Sequence, residues 1–209
     1  MLKEYSIRFM TIDDLKPVIK LLFFSFRSKF ESLYPENPKE ALLLFYQYYR
    51  YGLRKYNRNI IVVASKNKKI VAFVLLNGLG IPILSGNPSM KFLIQLCKEK
   101  GYKKTLRHFL GLLLIEGNPP APDHIYINTI VVDKKYRDMQ IGTSLMYLIE
   151  QIARKRKLKK LTLYVDKRNS KAIALYNRLG FVHDGGFGGG FMKNIIGVET
   201  FLWMEKKLV

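Results

Sequence analysis

The chain has a single cysteine, Cys97, only three histidines, and 16 acidic residues against 36 basic ones in a length of 209. A lone thiol cannot close an intramolecular disulfide, so nothing asks for an oxidising compartment, and an intracellular, cytoplasmic home is expected. His108, His124 and His183 stand apart, without the ligand spacing that a metal site needs. Long apolar runs are also missing. The longest, such as Leu110 to Ile115 and Leu21 to Phe24, fall far short of the roughly 20 residues of a membrane span. The start, Met1-Leu2-Lys3-Glu4, lacks the apolar core and cleavage site of an export signal, so no membrane or export segment is expected. Neither Gly-x-Ser-x-Gly nor Gly-x-x-x-x-Gly-Lys occurs, which disfavours hydrolase and nucleoside-triphosphatase chemistry.

What is present is core-forming. A chain with 48% hydrophobic and 13% aromatic residues spread along its length folds around a proper core rather than staying disordered. The net charge of +20 attracts anionic ligands and repels polycations. Strand-like Tyr5 to Met10 leads into the capping box Thr11-Ile-Asp-Asp14 and a helix in which Ile12, Leu15, Ile19, Leu22 and Phe26 recur at helical spacing. Pro35 and Pro38 precede a second helix, Lys39 to about Lys55, rich in Phe45, Tyr46, Tyr48, Tyr49 and Tyr51. These aromatics either line an apolar cleft or dimer seam or pack in the core. Residues 59–65 and 69–76 read as a β-hairpin turning at 66–68.

Residues 78–123 carry helical patterns at 88–99 and 103–116, closed by Pro119, Pro120 and Pro122. Strand 125–133, helix 141–157, strand 160–166, helix 170–179 and strand 197–207 complete an α/β layer with some parallel pairing. Gly185 to Gly190 reads as a mobile loop before the last strand, able to gate a site. No linker divides the chain, so residues 1–209 are expected to form one domain, with 78–123 a helical insertion. Arg154 to Lys157, with Lys159 and Lys160, forms a basic cluster. It could contact nucleic acid or an acidic protein, and equally it complements a helix dipole.

Two runs carry chemistry. In Ile130-Val-Val-Asp-Lys-Lys-Tyr-Arg137-Asp-Met-Gln-Ile-Gly142-Thr143 a buried strand turns into an amphipathic helix, whose unpaired first N–H groups can bind an anion such as a pyrophosphate. Gly142 permits close backbone approach and Arg137 adds charge-assisted contacts. The second run is Asn169-Ser-Lys-Ala-Ile-Ala-Leu-Tyr176-Asn-Arg-Leu-Gly180-Phe181. Together they resemble the acetyl-coenzyme A core of the GCN5-related N-acetyltransferase (GNAT) family, with Arg/Gln-x-x-Gly-x-Gly/Ala at the turn and then Asn-x-x-Ala-x-x-Leu-Tyr-x-x-x-Gly-Phe. Asn169, Ala172, Leu175, Tyr176, Gly180 and Phe181 match the second pattern in full. Gln140 stands where the first glycine of the turn is expected, and if that position needs a positive φ it costs about 1 kcal/mol.

The resemblance implies a mixed, mostly antiparallel central sheet with parallel splayed central strands and flanking helices. It also implies an N-acetyltransferase that moves acetyl from acetyl-coenzyme A to a protein N-terminus, a lysine or a small-molecule amine by direct attack. Ile130, Val131 and Val132 would offer backbone hydrogen bonds to the pantetheine arm. Arg137, Asp138, Met139, Gln140, Ile141, Gly142 and Thr143 would hold the pyrophosphate, with Asn169, Ala172 and Tyr176 completing the cradle. A backbone N–H near Val131 or Val132 is the expected oxyanion donor. Tyr176, a phenol protonated at neutral pH, is the expected acid for the departing thiolate. No general base is legible; Glu31 and Glu116 flank the expected acceptor cleft, while Tyr126 and Asn128 could position a water. A non-catalytic acetyl-coenzyme A sensor or nucleic-acid-binding protein on the same fold is the alternative, and both monomer and homodimer fit.

Overall fold

The computed structural model describes residues 5–34, 37, 39, 40, 42–47, 50, 60–65, 67, 69–77, 94, 97–99, 101, 102, 123–189 and 200–208. Most of the insertion 78–123 therefore lies outside the described residues, as do Tyr48, Tyr49, Tyr51, His108 and Glu116. The strands are β1 (Tyr5–Phe9), β2 (Ile60–Ser65), β3 (Ile70–Asn77), β4 (His124–Val132), β5 (Lys160–Asp166), β6 (Val182–Gly188) and β7 (Thr200–Lys207). The helices used below are α1 (Leu15–Ser25), α2 (Arg27–Leu33), α3 (Ile141–Lys155) and α4 (Ser170–Arg178). Among the described residues the strands form one sheet in the order β1-β2-β3-β4-β5-β7-β6. Every pair is antiparallel except β4 with β5.

The two faces of the sheet bury different helices. Against α1 and α2 pack Phe73, Leu75 and Val131, with Leu15, Ile19, Leu22, Phe23 and Phe30 as the helical side. On the other face, Ile125, Ile127, Leu161, Leu163 and Val165 meet α3 through Ile141, Leu145, Ile149 and Ala153. That spacing of four residues places one apolar stripe of α3 on the sheet, and each fully buried Leu or Ile there contributes roughly 1.5–3 kcal/mol.

One irregularity in β4 sets up the site. Leu75 lies opposite Thr129 but Leu76 lies opposite Ile127, so Asn128 is an extra residue, a β-bulge. Without it, the side-chain alternation that buries Ile125 and Ile127 would turn Ile130 and Val132 to the wrong face. With it, all four pack towards α3. The parallel pairing of β4 with β5 runs only from His124–Lys160 to Ile127–Leu163. Beyond the bulge β4 goes on to Val132 and β5 to Asp166, no longer paired with each other, and a cleft opens between them.

Two expectations need correction. Periodicity alone carries the first helix through Phe26, yet α1 ends at Ser25 and α2 restarts at Arg27, because Phe26 adopts φ −118°, ψ 29°. Residues 185–188 of the glycine patch belong to β6, paired with β7, rather than to a loop. Gly185 has φ +100°, and a Cβ on Gly186 would sit 2.3 Å from the carbonyl oxygen of Phe201. The glycines are what let this edge strand lie so close to its partner.

Candidate functional site

Among the described residues the cleft leaves one edge of β4 unpaired beyond the bulge. Asp133 N–H donates to the carbonyl of Val71 at 2.9 Å, and Ala72 faces Val132 in the register. In an antiparallel ladder the residues alternate between pairs that exchange hydrogen bonds and pairs that do not. Asp133 and Val131 therefore turn their backbone groups to β3, and Ile130 and Val132 turn theirs outward, into the space β5 has vacated. Val131 belongs to the ladder and buries its side chain against the α1 face.

Residues 133–140 cross from this edge to the start of α3. Asp133 accepts from Lys135 N at 3.0 Å and opens a single 3-10 turn, Lys134–Tyr136. Edge-on contact between the rings of Tyr5 and Tyr136, and a hydrogen bond from the Tyr5 hydroxyl to Met139 Sδ at 3.7 Å, fix the loop to β1. Asp138 and Gln140 are left-handed, at φ 62° and 59°. Gln140 is thus the N-cap of α3 in a conformation that favours glycine, with no side-chain cap bond. The first N–H paired back into the helix is that of Ser144, to the Gln140 carbonyl at 2.9 Å. The amides of Ile141, Gly142 and Thr143 precede it, at the positive end of the helix dipole.

Helix α4 closes the arrangement. Asn169 caps it by accepting from Ala172 N at 3.2 Å. Leu175, on the next turn, reaches Gly142: a Cβ there would lie 3.9 Å from Val132 Cγ2 and 4.0 Å from Leu175 Cδ2. The β4 edge, the first turn of α3 and α4 thus converge on Gly142. Tyr176 is 6% exposed, its ring tilted against Phe181 at 5.8 Å between centroids. Burial pushes its hydroxyl up to about 12, so at neutral pH it is a donor and not an anion.

On the opposite face the cleft is walled by aromatics. Tyr126 and Trp203 stack at 6.2 Å, Trp203 and Tyr164 lie 4.6 Å apart, Tyr164 meets Phe187 edge-on at 4.8 Å, and Phe187 stacks on Phe201 at 5.3 Å. Burial raises the Tyr126 hydroxyl above its ordinary range. Lys29, half-buried on α2, holds its ammonium 4.9 Å from the Phe26 ring and 5.3 Å from the Phe201 ring. Phe201 is the β7 partner of Asp166. Arg168 grips Asp166 through two nitrogens at 3.2 and 3.0 Å. Burial pushes the Asp166 carboxyl up, but the hydrogen bonds and charge of Arg168, with Lys29 adding to them, hold it below the usual range.

Of the carboxylates weighed as bases, Glu31 is exposed and paired with Arg27 at 2.7 Å. Asn128 accepts from Thr129 Oγ1 at 2.9 Å within the bulge. Phe45, in the second helix, is a core residue against Phe30 rather than a cleft wall. The aromatic wall comes instead from β4, β5, β6 and β7. Of these rings sequence reasoning named Tyr126 but not the wall, because they are scattered over four strands, two on β7 and one on each of the others; alternation of Thr162, Tyr164 and Asp166 opposite Leu161, Leu163 and Val165 was the available signal. Among the described residues no group of His, Cys, Asp or Glu side chains could hold a metal ion, and no helix is long and apolar enough to cross a membrane.

Residues 20–181 match the model of the acetyltransferase (GNAT) family. The chain is similar to a solved acetyltransferase at 19% identity and TM-score 0.67, covering 98% of this chain and all of that one. It is also similar to the PaiA N-acetyltransferase of Thermoplasma acidophilum, solved with coenzyme A (16% identity, TM-score 0.58, 97% and 98% covered). A third is a chain of the NatC complex bound to Gag peptide and CoA (12%, TM-score 0.60, 99% of each). At these identities the likeness is one of fold. No curated protein matches the sequence.

Proposed function

The chain belongs to the GNAT acetyltransferase family, and from that premise we propose that it transfers acetyl from acetyl-coenzyme A to an amine by direct attack, the acceptor being a protein N-terminus, a lysine or a small molecule. The observation that carries this reading is the convergence on Gly142 of an unpaired strand edge, a bare helix start and the helix bearing Tyr176. The amides of Ile141, Gly142 and Thr143, with Arg137, bind the pyrophosphate of the co-substrate. Ile130 and Val132 extend backbone groups to its pantetheine arm, much as an added strand would pair with an open edge. Of the three β4 residues expected to contribute, Val131 is the one whose amide is directed to β3, so Ile130 and Val132 take the role.

Attack by a neutral amine nitrogen forms a C–N bond at the thioester carbonyl, and charge builds on its oxygen. A β4-edge N–H, fixed before the reaction, stabilises that charge. Collapse breaks the C–S bond, the thiolate takes the proton of the Tyr176 hydroxyl, which burial keeps protonated, and the proton that the nitrogen sheds on becoming an amide returns through solvent to the tyrosinate. Asn169 and Ala172 act through the α4 cap, holding the helix that carries this tyrosine. An exposed free thiol at Cys97 suits a reducing cytoplasm.

The test is thiol release from acetyl-coenzyme A with an amine panel, comparing the wild type with Tyr176→Phe. Loss of the hydroxyl should lower kcat at least tenfold, general acids contributing typically about 10²–10⁴-fold, and leave coenzyme affinity within about twofold. Binding without turnover on any acceptor would point to a sensor instead.

A further inference from the structure

We propose that Lys29 selects the acceptor: its ammonium, seated between Phe26 and Phe201 over the C-terminal end of β5, pairs with a carboxylate carried by the incoming amine. This rests on the acetyl-transfer reading above. The cleft between β4 and β5 passes through the sheet. Coenzyme phosphates belong at the start of α3, on one face, so the amine must come from the other, the α1–α2 face, where Tyr164, Phe201, Asp166 and Lys29 stand.

Lys29 differs from an ordinary surface lysine in three ways. It is half-buried, with aromatic rings on its ammonium. Among the described residues no carboxylate lies within ion-pair distance of it; the nearest acidic influence, Asp166, is already gripped by Arg168. Burial pulls its ammonium below the usual range, Asp166 opposing this and Arg168 adding to it. Among the described residues two cations and one anion therefore share this end of the cleft, so Lys29 brings a positive charge that Asp166, held by Arg168, does not match. The rings orient the cation but cannot neutralise it, since a ring offers a quadrupole and no net charge. An arriving carboxylate supplies the missing charge and a charge-assisted hydrogen bond, and polyamine acceptors meet repulsion at the same place.

Trp203, the only tryptophan in the chain, stands in the same aromatic wall and reports occupancy without turnover. The experiment titrates wild-type protein, Lys29→Met and Lys29→Arg with Ala-Glu-Glu-amide and Ala-Gln-Gln-amide, reading Trp203 emission, and separately with free glutamate. Acetylation of both peptides is measured alongside. The expected result is about tenfold tighter binding and lower KM for the acidic peptide, lost in Lys29→Met and largely restored in Lys29→Arg, a tenfold change being about 1.4 kcal/mol. Free glutamate binding equally well would assign the site to amino-acid acceptors and its absence to peptides; both keep the carboxylate pairing. Equal affinity of wild-type protein for the two peptides overturns the proposal whatever the variants do. Turnover with no charge preference sinks this inference and leaves acetyl transfer standing; charge-selective binding without turnover does the reverse.

Discussion

Arg137 Nε donates to the carbonyl oxygen of Val132 at 3.3 Å. The strand edge and the loop that leads into α3 are therefore held together by a side chain, and the geometry of that side chain should matter as much as its charge. Lysine in its place keeps the charge but not the planar fork that can hold a carbonyl with one nitrogen and a phosphate with the others. Arg137→Lys is expected to weaken coenzyme binding about tenfold, while the exposed position limits the stability change to roughly 0.5 kcal/mol. Calorimetric titration with coenzyme A and a thermal melt measure the two quantities independently.

Gly142 is not required by the fold. A Cβ would meet Val132 and Leu175 at 3.9 and 4.0 Å, ordinary contact distances, and in a helix alanine outperforms glycine by up to about 1 kcal/mol. Gly142→Ala should therefore melt no lower than the wild type and, on the proposed reading, bind coenzyme A several-fold more weakly, because the methyl group would stand where the phosphate is proposed to approach. If affinity is unchanged, the helix start is not the anion site.

Gln140 has φ 59°. A left-handed non-glycine residue costs roughly 1–2 kcal/mol, and glycine loses about 0.5–1 kcal/mol more backbone entropy on folding. The balance predicts that Gln140→Gly stabilises by about 0.5–1 kcal/mol, whereas Gln140→Ala, which keeps the strain, gains nothing. Urea unfolding midpoints of the three proteins check it.

Asp14 links the end of β1 to the start of α1. Arg8 holds it through both carboxylate oxygens, one at 2.8 Å, and Thr11 N–H donates to it at 2.8 Å. Burial pushes its carboxyl up, but these hydrogen bonds and the Arg8 charge bring it below its ordinary value. A depressed folded pKa means the contribution is complete above the unfolded value, near 3.9, and is lost as pH falls towards the folded one. Asp14→Asn should cost about 1.5–3 kcal/mol at neutral pH. The difference from wild type should shrink as pH drops from about 4 towards 2, measured by chemical unfolding across that range.

Much of this architecture was legible in the chain, and the parts that were not share a cause. Leu145, Ile149 and Ala153, or Leu161, Leu163 and Val165, declare their elements by spacing, because side-chain burial is periodic. The bare helix start at 141–143 was legible because a helix that follows a buried strand leaves its first amides unpaired within the helix whatever the side chains do. Strand β6 was hidden: Gly185 and Gly186 have no side chains to alternate, and their pairing is written in β7. The bulge at Asn128 was hidden too, since register is a relation between strands that neither sequence segment carries alone. The break at Phe26 leaves the helical periodicity intact and changes only a backbone angle. For Tyr176 the motif named the residue, and its depth in the α3 face followed only from the packed neighbours Phe181 and Leu179.

The short run of parallel pairing, His124–Lys160 to Ile127–Leu163, makes the sheet two plates riveted at one corner, β1–β4 and β5–β7. Among the described residues, strain applied to either plate crosses through those few rungs and through the helix layers. A pantetheine arm lying along the vacant margin would lace the plates together, so amide protons on β5 should exchange with solvent more slowly when the coenzyme is bound. On that reading, the gap proposed to admit the reactants is also the seam where β5 exchange should be fastest without coenzyme.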